Sequence, residues 1–257
     1  MHLPAINRIN LSFINNFPLS SLAPCVNLHE LNLLHMDGFP EIIQSEMPRI
    51  RQLYIPASSK LTSMMLCAKR RDGRPAFDFT DLRQLWMSFT QNEDEANVRH
   101  LLQTAKLDKL HLFVKHNRLT LVGLHDILSP GAHTLKVLEL SVPLCHNGEP
   151  PLAGLCDELE AMAGHNVLET LDLQVDIDDD VTVDSIGSRI ETVVKVLVKP
   201  GWSALKQVSV DISILCCLAS RETSAEVIKA LQSLPQSPFK TRVRCSAHVA
   251  KCQYCNI

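Results

Sequence analysis

Eight times along this chain, apolar residues occupy the first, fourth and sixth positions of a six-residue stretch. The sets are Ile6-Ile9-Leu11, Leu28-Leu31-Leu33, Ile50-Leu53-Ile55, Leu82-Leu85-Met87, Leu107-Leu110-Leu112, Leu135-Leu138-Leu140, Leu168-Leu171-Leu173 and Leu205-Val208-Val210. Their starts lie 22, 22, 32, 25, 28, 33 and 37 residues apart. The last two apolar positions alternate with polar residues, the pattern of a strand with one buried face. Such a strand cannot bury that face alone and needs a stacked neighbour.

A fixed apolar skeleton recurring at intervals of 20 to 40 residues predicts a repeat architecture. The expected fold is α/β: an irregular leucine-rich-repeat solenoid with one curved parallel sheet and helices or loops on its outer side. Nothing interrupts the pattern, so a single domain over 1–257 is expected, with a poorly defined tail from 239 to 257. Early repeats have room only for a strand, a turn and a short return. Later ones hold helices. Asn92 to Ala105 sets Val98, Leu101 and Leu102 on one face, with Glu93, Asp94 and Glu95 in a first turn that suits negative charge. Leu121 to Leu128 gives another face, stopped by Ser129-Pro130-Gly131. Leu152 to Gly164, Val183 to Val198 and Ser224 to Leu234 follow the same logic, and a strand is expected around Val243. The stretch between Ile55 and Leu82 is the longest departure, with a charged, turn-rich loop at Lys69 to Pro75.

A hydrophobic content of 46% supports an extensive core. The net charge of -3 gives no global pull toward nucleic acid or an anionic membrane. No apolar run approaches a membrane span, and the first residues lack a secretory pattern. The nine cysteines are odd in number and several sit in apolar contexts, which points to a reducing compartment, cytoplasmic or nuclear.

Several stretches carry a more specific likeness. LVGLHDILSP (121–130), TLKVLEL (134–140), PLAGLCDELEAMAGHNVLETL (151–171) and VLVKPGWSALKQVS (196–209) resemble repeat segments of fungal F-box-type leucine-rich-repeat proteins. The resemblance implies a substrate-recognition region feeding a cullin-based ubiquitin ligase when an F-box is attached. Leu3-Pro4 runs straight into a repeat rather than into an F-box helix, so adaptor binding maps onto no residue here. The rival is a stand-alone structural or regulatory repeat protein, or a remnant without a ubiquitin role. An in-frame F-box coding segment upstream of Met1 would favour the first. The family's Asn or Cys, three residues after the third apolar position, is also missing. Those positions hold Ile14, Met36, Ser58, Thr90, Lys115, Pro143, Asp176 and Ser213. The turn backbone must then be satisfied some other way.

In a repeat sheet the residues between the apolar positions share the open face. The central row reads Asn10, Asn32, Tyr54, Trp86, His111, Glu139, Asp172 and Ser209, with Phe113 in the row after it. Exposed aromatics among polar side chains are the composition of interface anchors. Tyr54, Trp86, His111 and Phe113 form the expected centre of a partner-binding face, and Glu139 and Asp172 extend it with negative charge. That gradient suits a protein partner with an apolar anchor beside basic residues. The competing reading has Tyr54 and Trp86 covered by the 56–81 insertion.

Other motifs favour plain readings. Cys245, His248, Cys252 and Cys255 have zinc-ligand types, but they crowd into eleven residues without a proper loop, so free or buried thiols are the default. Asp176 to Asp180 lacks the Gly and distal Glu of a calcium loop. Lys69-Arg70-Arg71, with Asp72 beside it, reads as a solvated loop. No catalytic motif is present, and His125 and Asp126, adjacent on a helix, are not expected to face each other. The chain is therefore expected to be no enzyme, to need no cofactor and no metal, and to bind neither nucleic acid nor membrane.

Overall fold

A computed structural model describes residues 3, 5–38, 43–44, 46–56, 58–89, 92–114, 121–143, 152, 154–178, 183–215 and 240–248. The fold is α/β. The chain forms two compact units, Met1–Phe113 and Val114–Ile257.

In the first unit the strands are β1 (Arg8–Ser12), β2 (Glu30–Leu34), β3 (Gln52–Ile55), β4 (Gln84–Phe89) and β5 (Lys109–Val114). They lie side by side in chain order. β1 pairs β2, β2 pairs β3 and β3 pairs β4, all parallel, each central-row residue opposite the next: Asn10↔Asn32, Asn32↔Tyr54, Tyr54↔Trp86. The returns are a short 3-10 turn at Leu19–Leu22 and the helices α1 (Ser59–Cys67) and α2 (Asn92–Thr104). α1 falls inside the stretch read from sequence as an irregular insertion. It packs against α2, and Asn97 Nδ2 donates to Ser63 Oγ at 2.8 Å.

The second unit holds α3 (Leu124–Leu128), β6 (Val137–Pro143), α4 (Leu155–Met162), β7 (Thr170–Asp178), α5 (Val183–Val198), β8 (Gln207–Leu215) and β9 (Lys240–His248). β6 to β9 are again parallel and in chain order, with the register Glu139↔Asp172↔Ser209↔Arg242. The expected helix at Ser224 to Leu234 lies outside the described residues. Glycines with positive φ follow both helices, Gly164 (φ +80°) just after α4 and Gly201 (φ +114°) in the turn after α5. The Gly164 N–H donates to the Gly201 carbonyl at 2.8 Å, so the two helix ends are tied together.

The core follows the apolar skeleton. In seven of the eight sets all three residues are buried, from Leu28-Leu31-Leu33 to Leu205-Val208-Val210. Ile6, Ile9 and Leu11 are only half-buried. Leu31 and Leu33, which lie opposite Ile9 and Leu11, are fully buried. At about 25 cal/mol per Å² of apolar surface, this stacked stripe is the main stabilising term of each unit.

Strand starts share one hydrogen-bond arrangement. The carbonyl of the residue before each strand accepts two successive N–H groups from the start of the next. Asn7 takes His29 and Glu30, His29 takes Arg51 and Gln52, Arg51 takes Arg83 and Gln84, and Arg83 takes Asp108 and Lys109, all at 2.8–3.1 Å. In the second unit Lys136 takes Glu169 and Thr170, and Glu169 takes Lys206 and Gln207. Strand ends are satisfied differently. Ser58, three residues after the buried Ile55, is itself buried. Its Oγ accepts the Met36 N–H at 2.9 Å and lies 3.3 Å from the carbonyls of Leu33 and Pro56, to which it can donate.

Candidate interaction face

Strand alternation decides which side chains reach the face. Along β3, β4 and β5 the residues flanking each buried apolar position stand on the opposite side from the core. Leu53, Leu85, Leu110 and Leu112 are buried, while Tyr54, Trp86, His111 and Phe113 are half-buried. Tyr54 and Trp86 are register partners. Their rings are tilted by 53° with centroids 6.4 Å apart. Tyr54 also meets Phe113 edge-on, at 85° and 6.3 Å. On β5, Phe113 stacks on His111 at 4.0 Å. The four expected aromatic residues of this unit are therefore brought into one cluster. Edge-to-face and tilted arrangements at these distances are the favourable ones for ring quadrupoles.

Lys109 was not singled out from sequence, yet it belongs to the cluster. Its Nζ lies 5.4 Å from the centre of the Trp86 ring, a cation–π distance. Its place in the row beside His111 was readable from β5 alternation, but its reach across to Trp86 depends on strand pairing. Among neighbouring side chains, Arg8 pairs with Glu30 at 3.1 Å, and Asn32 Nδ2 donates to Asn10 Oδ1. Glu139 and Asp172 belong to the second unit, where they are register partners on β6 and β7.

The other motifs resolve as follows. Cys245 and His248 lie on β9, while Cys252 and Cys255 fall outside the described residues. Among the described residues no group of three or more His, Cys, Asp or Glu side chains is placed to hold a metal. Cys25 and Cys67 are free thiols. Asp176 and Asp178 end β7, and the rest of the acidic run lies outside the described residues.

The Lys69–Pro75 loop is a charge-paired turn. Arg70 reaches Glu46 and Asp72, each at 3.9 Å, and Asp72 also holds Arg74. The Arg74 side-chain hydrogen bond keeps the Asp72 carboxyl below its usual range. His125 and Asp126 do face each other, against expectation, with Nδ1 and Oδ1 3.5 Å apart. Glu158 on α4 caps that turn, accepting the N–H groups of Gly123 and His125 at 2.8 and 2.7 Å. Beside it a cavity of about 270 Å³ is lined by His125, Leu128, His133, Met162, His165 and Asn166 among others.

Compared with family models, curated proteins and solved structures, the chain matches none.

Proposed function

We propose that this chain is an irregular leucine-rich-repeat solenoid whose work is protein recognition. In this reading it is the substrate-binding repeat region of an F-box-type ubiquitin-ligase receptor, acting in the cytoplasm or nucleus without catalysis of its own. One observation carries the recognition reading. Tyr54, Trp86, His111 and Phe113 converge on the strand face away from the buried leucines, with Lys109 against Trp86. Rigid aromatics give a large contact area at low entropic cost, and Tyr, Trp and His each keep a polar handle for the partner. In-order parallel strands about 4.8 Å apart hold the rings in a fixed row, so little ordering cost falls at the moment of binding. The ubiquitin-ligase assignment rests on the resemblance of the repeat segments. Also consistent is that no helix among the described residues is long and apolar enough to cross a membrane.

The test is affinity capture from a cell extract by the full chain, with mass-spectrometric identification of what is bound. Trp86→Ala should lose the partners captured by the wild type, an effect of about 2 kcal/mol or more. Circular dichroism should be unchanged. A folded variant that captures the same partners would remove the aromatic cluster as the binding site. If the captured set carries no ubiquitin-ligase substrate and the transcript carries no F-box, the stand-alone scaffold reading replaces the receptor one.

A further inference from the structure

The strand order ends at β1, whose only strand partner among the described residues is β2. The backbone of β1 meets β2 through its odd-numbered residues. Asn7 accepts from His29 and Glu30, and Phe13 donates to Leu34 at 2.9 Å. Alternation then turns the N–H and C=O groups of Arg8, Asn10 and Ser12 to the edge away from β2. Soluble proteins usually blunt such an edge with Pro, an inward charge or a bulge. Arg-Ile-Asn-Leu-Ser contains none of these on its core side, where Ile9 and Leu11 remain half-buried. Exposed apolar side chains gather nearby in sequence. Of six large hydrophobic residues exposed among those described, four are Leu3, Phe13, Ile14 and Val26, and Phe13 is 72% exposed.

We infer that this edge pairs with the same edge of a second copy, β1 running antiparallel to β1 about a two-fold axis at Asn10. The choice of a second copy follows from self-complementarity. In that register Asn10 faces Asn10, Arg8 faces Ser12, and Ile9 faces Leu11. No like charges meet, and Arg8 is already compensated by Glu30 on its own chain. Each pair involving residues 8, 10 and 12 exchanges both of its N–H···O bonds, because these are the residues with outward backbone groups. Ile9 and Leu11 become the closely spaced pairs in between, so the two half-buried side chains cover one another on the core face. A two-fold interface of this kind closes at two copies. This inference is independent of the proposed aromatic binding face.

The experiment uses the full chain. Light scattering or sedimentation across a concentration series should give a reversible monomer–dimer equilibrium. Leu11→Lys places a charge on the core side of the edge and should weaken dimerisation at least tenfold with an unchanged circular dichroism spectrum. Asn10→Cys gives a gain of signal. Residues facing each other as a hydrogen-bonded pair have Cα atoms about 5.5 Å apart, within disulfide reach. Mild oxidation should therefore yield a covalent dimer, with peptide mass spectrometry locating the bond between the two substituted positions. If Leu11→Lys fails to fold, the cross-link decides. A strict monomer at all concentrations would overturn the inference. So would growth beyond two copies, or a dimer that forms no cross-link at that position.

Discussion

The hydroxyl of Ser58 accepts the backbone N–H of Met36 at 2.9 Å across 22 positions of sequence. Ser58 is buried, and so is Met36. Water cannot replace the hydroxyl there at no cost, so the bond is worth more than an exposed serine contact. Ser58→Ala should cost about 1–3 kcal/mol, since it leaves a buried N–H unpaired. Ser12→Ala, at an exposed position, should stay within about 0.5 kcal/mol. Urea midpoints on both variants test this, and equal midpoints would mean the turn finds another partner.

The same serine shows why part of the fold was hidden in the sequence. Ser58 stands at the N-cap of α1 but makes no side-chain cap bond to its own helix. Its hydroxyl serves the previous repeat instead. The helix start signal was thus present and chemically engaged elsewhere, beside a Lys-Arg-rich turn that reads as loop. Leu61 and Met65 do carry the four-residue spacing of a buried helix face, and both are buried. By contrast, the strands were legible because the period-two alternation and the 1-4-6 skeleton agree. α2 and α5 were legible because long apolar stripes outlast ambiguities at their ends. Of the candidate face, membership of the rows could be read within each strand. The Tyr54–Phe113 edge contact and the Lys109–Trp86 contact could not, because both depend on strands brought together across returns of very different length.

The glycine pair at the ends of α4 and α5 is a second point of stress. Gly201 has φ +114°, and a Cβ added there would lie 2.7 Å from the Gly164 nitrogen and 2.9 Å from the Ala163 Cβ. Both the left-handed backbone and the close approach exclude a side chain. Gly201→Ala should lower stability by about 1–3 kcal/mol. Gly73→Ala is the control. Gly73 also has positive φ, but nothing lies within 4 Å of the added carbon, so only the conformational cost remains. A larger loss for Gly73→Ala than for Gly201→Ala would contradict the packing argument.

Asp78 gives a pH dependence with a definite sign. The Thr80 hydroxyl donates to its Oδ1 at 2.6 Å and the Thr80 N–H at 3.0 Å, and Arg49 lies 3.6 Å from Oδ2. These hydrogen bonds, aided by the guanidinium, hold the carboxyl below its ordinary value of 3.8. The folded state therefore favours the ionised form. Its stabilisation is complete above the unfolded value and is lost as pH falls through the lower folded one. Asp78→Asn should be less stable than wild type at pH 7, and the gap should narrow as the pH falls below the ordinary value of 3.8 and through the lower folded one. Thermal midpoints across pH 2.5 to 7 measure it. A gap that persists at the acid end would show that the loss is steric rather than electrostatic.

Leu85 and Trp86 are neighbours on β4 that point to opposite sides of the sheet, and together they test what each side is for. Leu85 is fully buried in the stacked stripe. Trp86 is half-buried among Tyr54 and the Lys109 ammonium. Leu85→Ala should cost about 2–5 kcal/mol, the transfer term plus the cavity left behind. Trp86→Ala removes cross-strand ring contacts worth about 0.2–1 kcal/mol and leaves no enclosed void, so the fold should survive with a small shift in midpoint. Binding should show the reverse order. Leu85→Ala, assayed below its unfolding transition, should retain partner capture, and Trp86→Ala should lose it. A Trp86→Ala variant as destabilised as Leu85→Ala would mean that the indole is part of the core. The strand side assigned to recognition would then be a packing surface, and Lys109, His111 and Phe113 would have to be read as its cover.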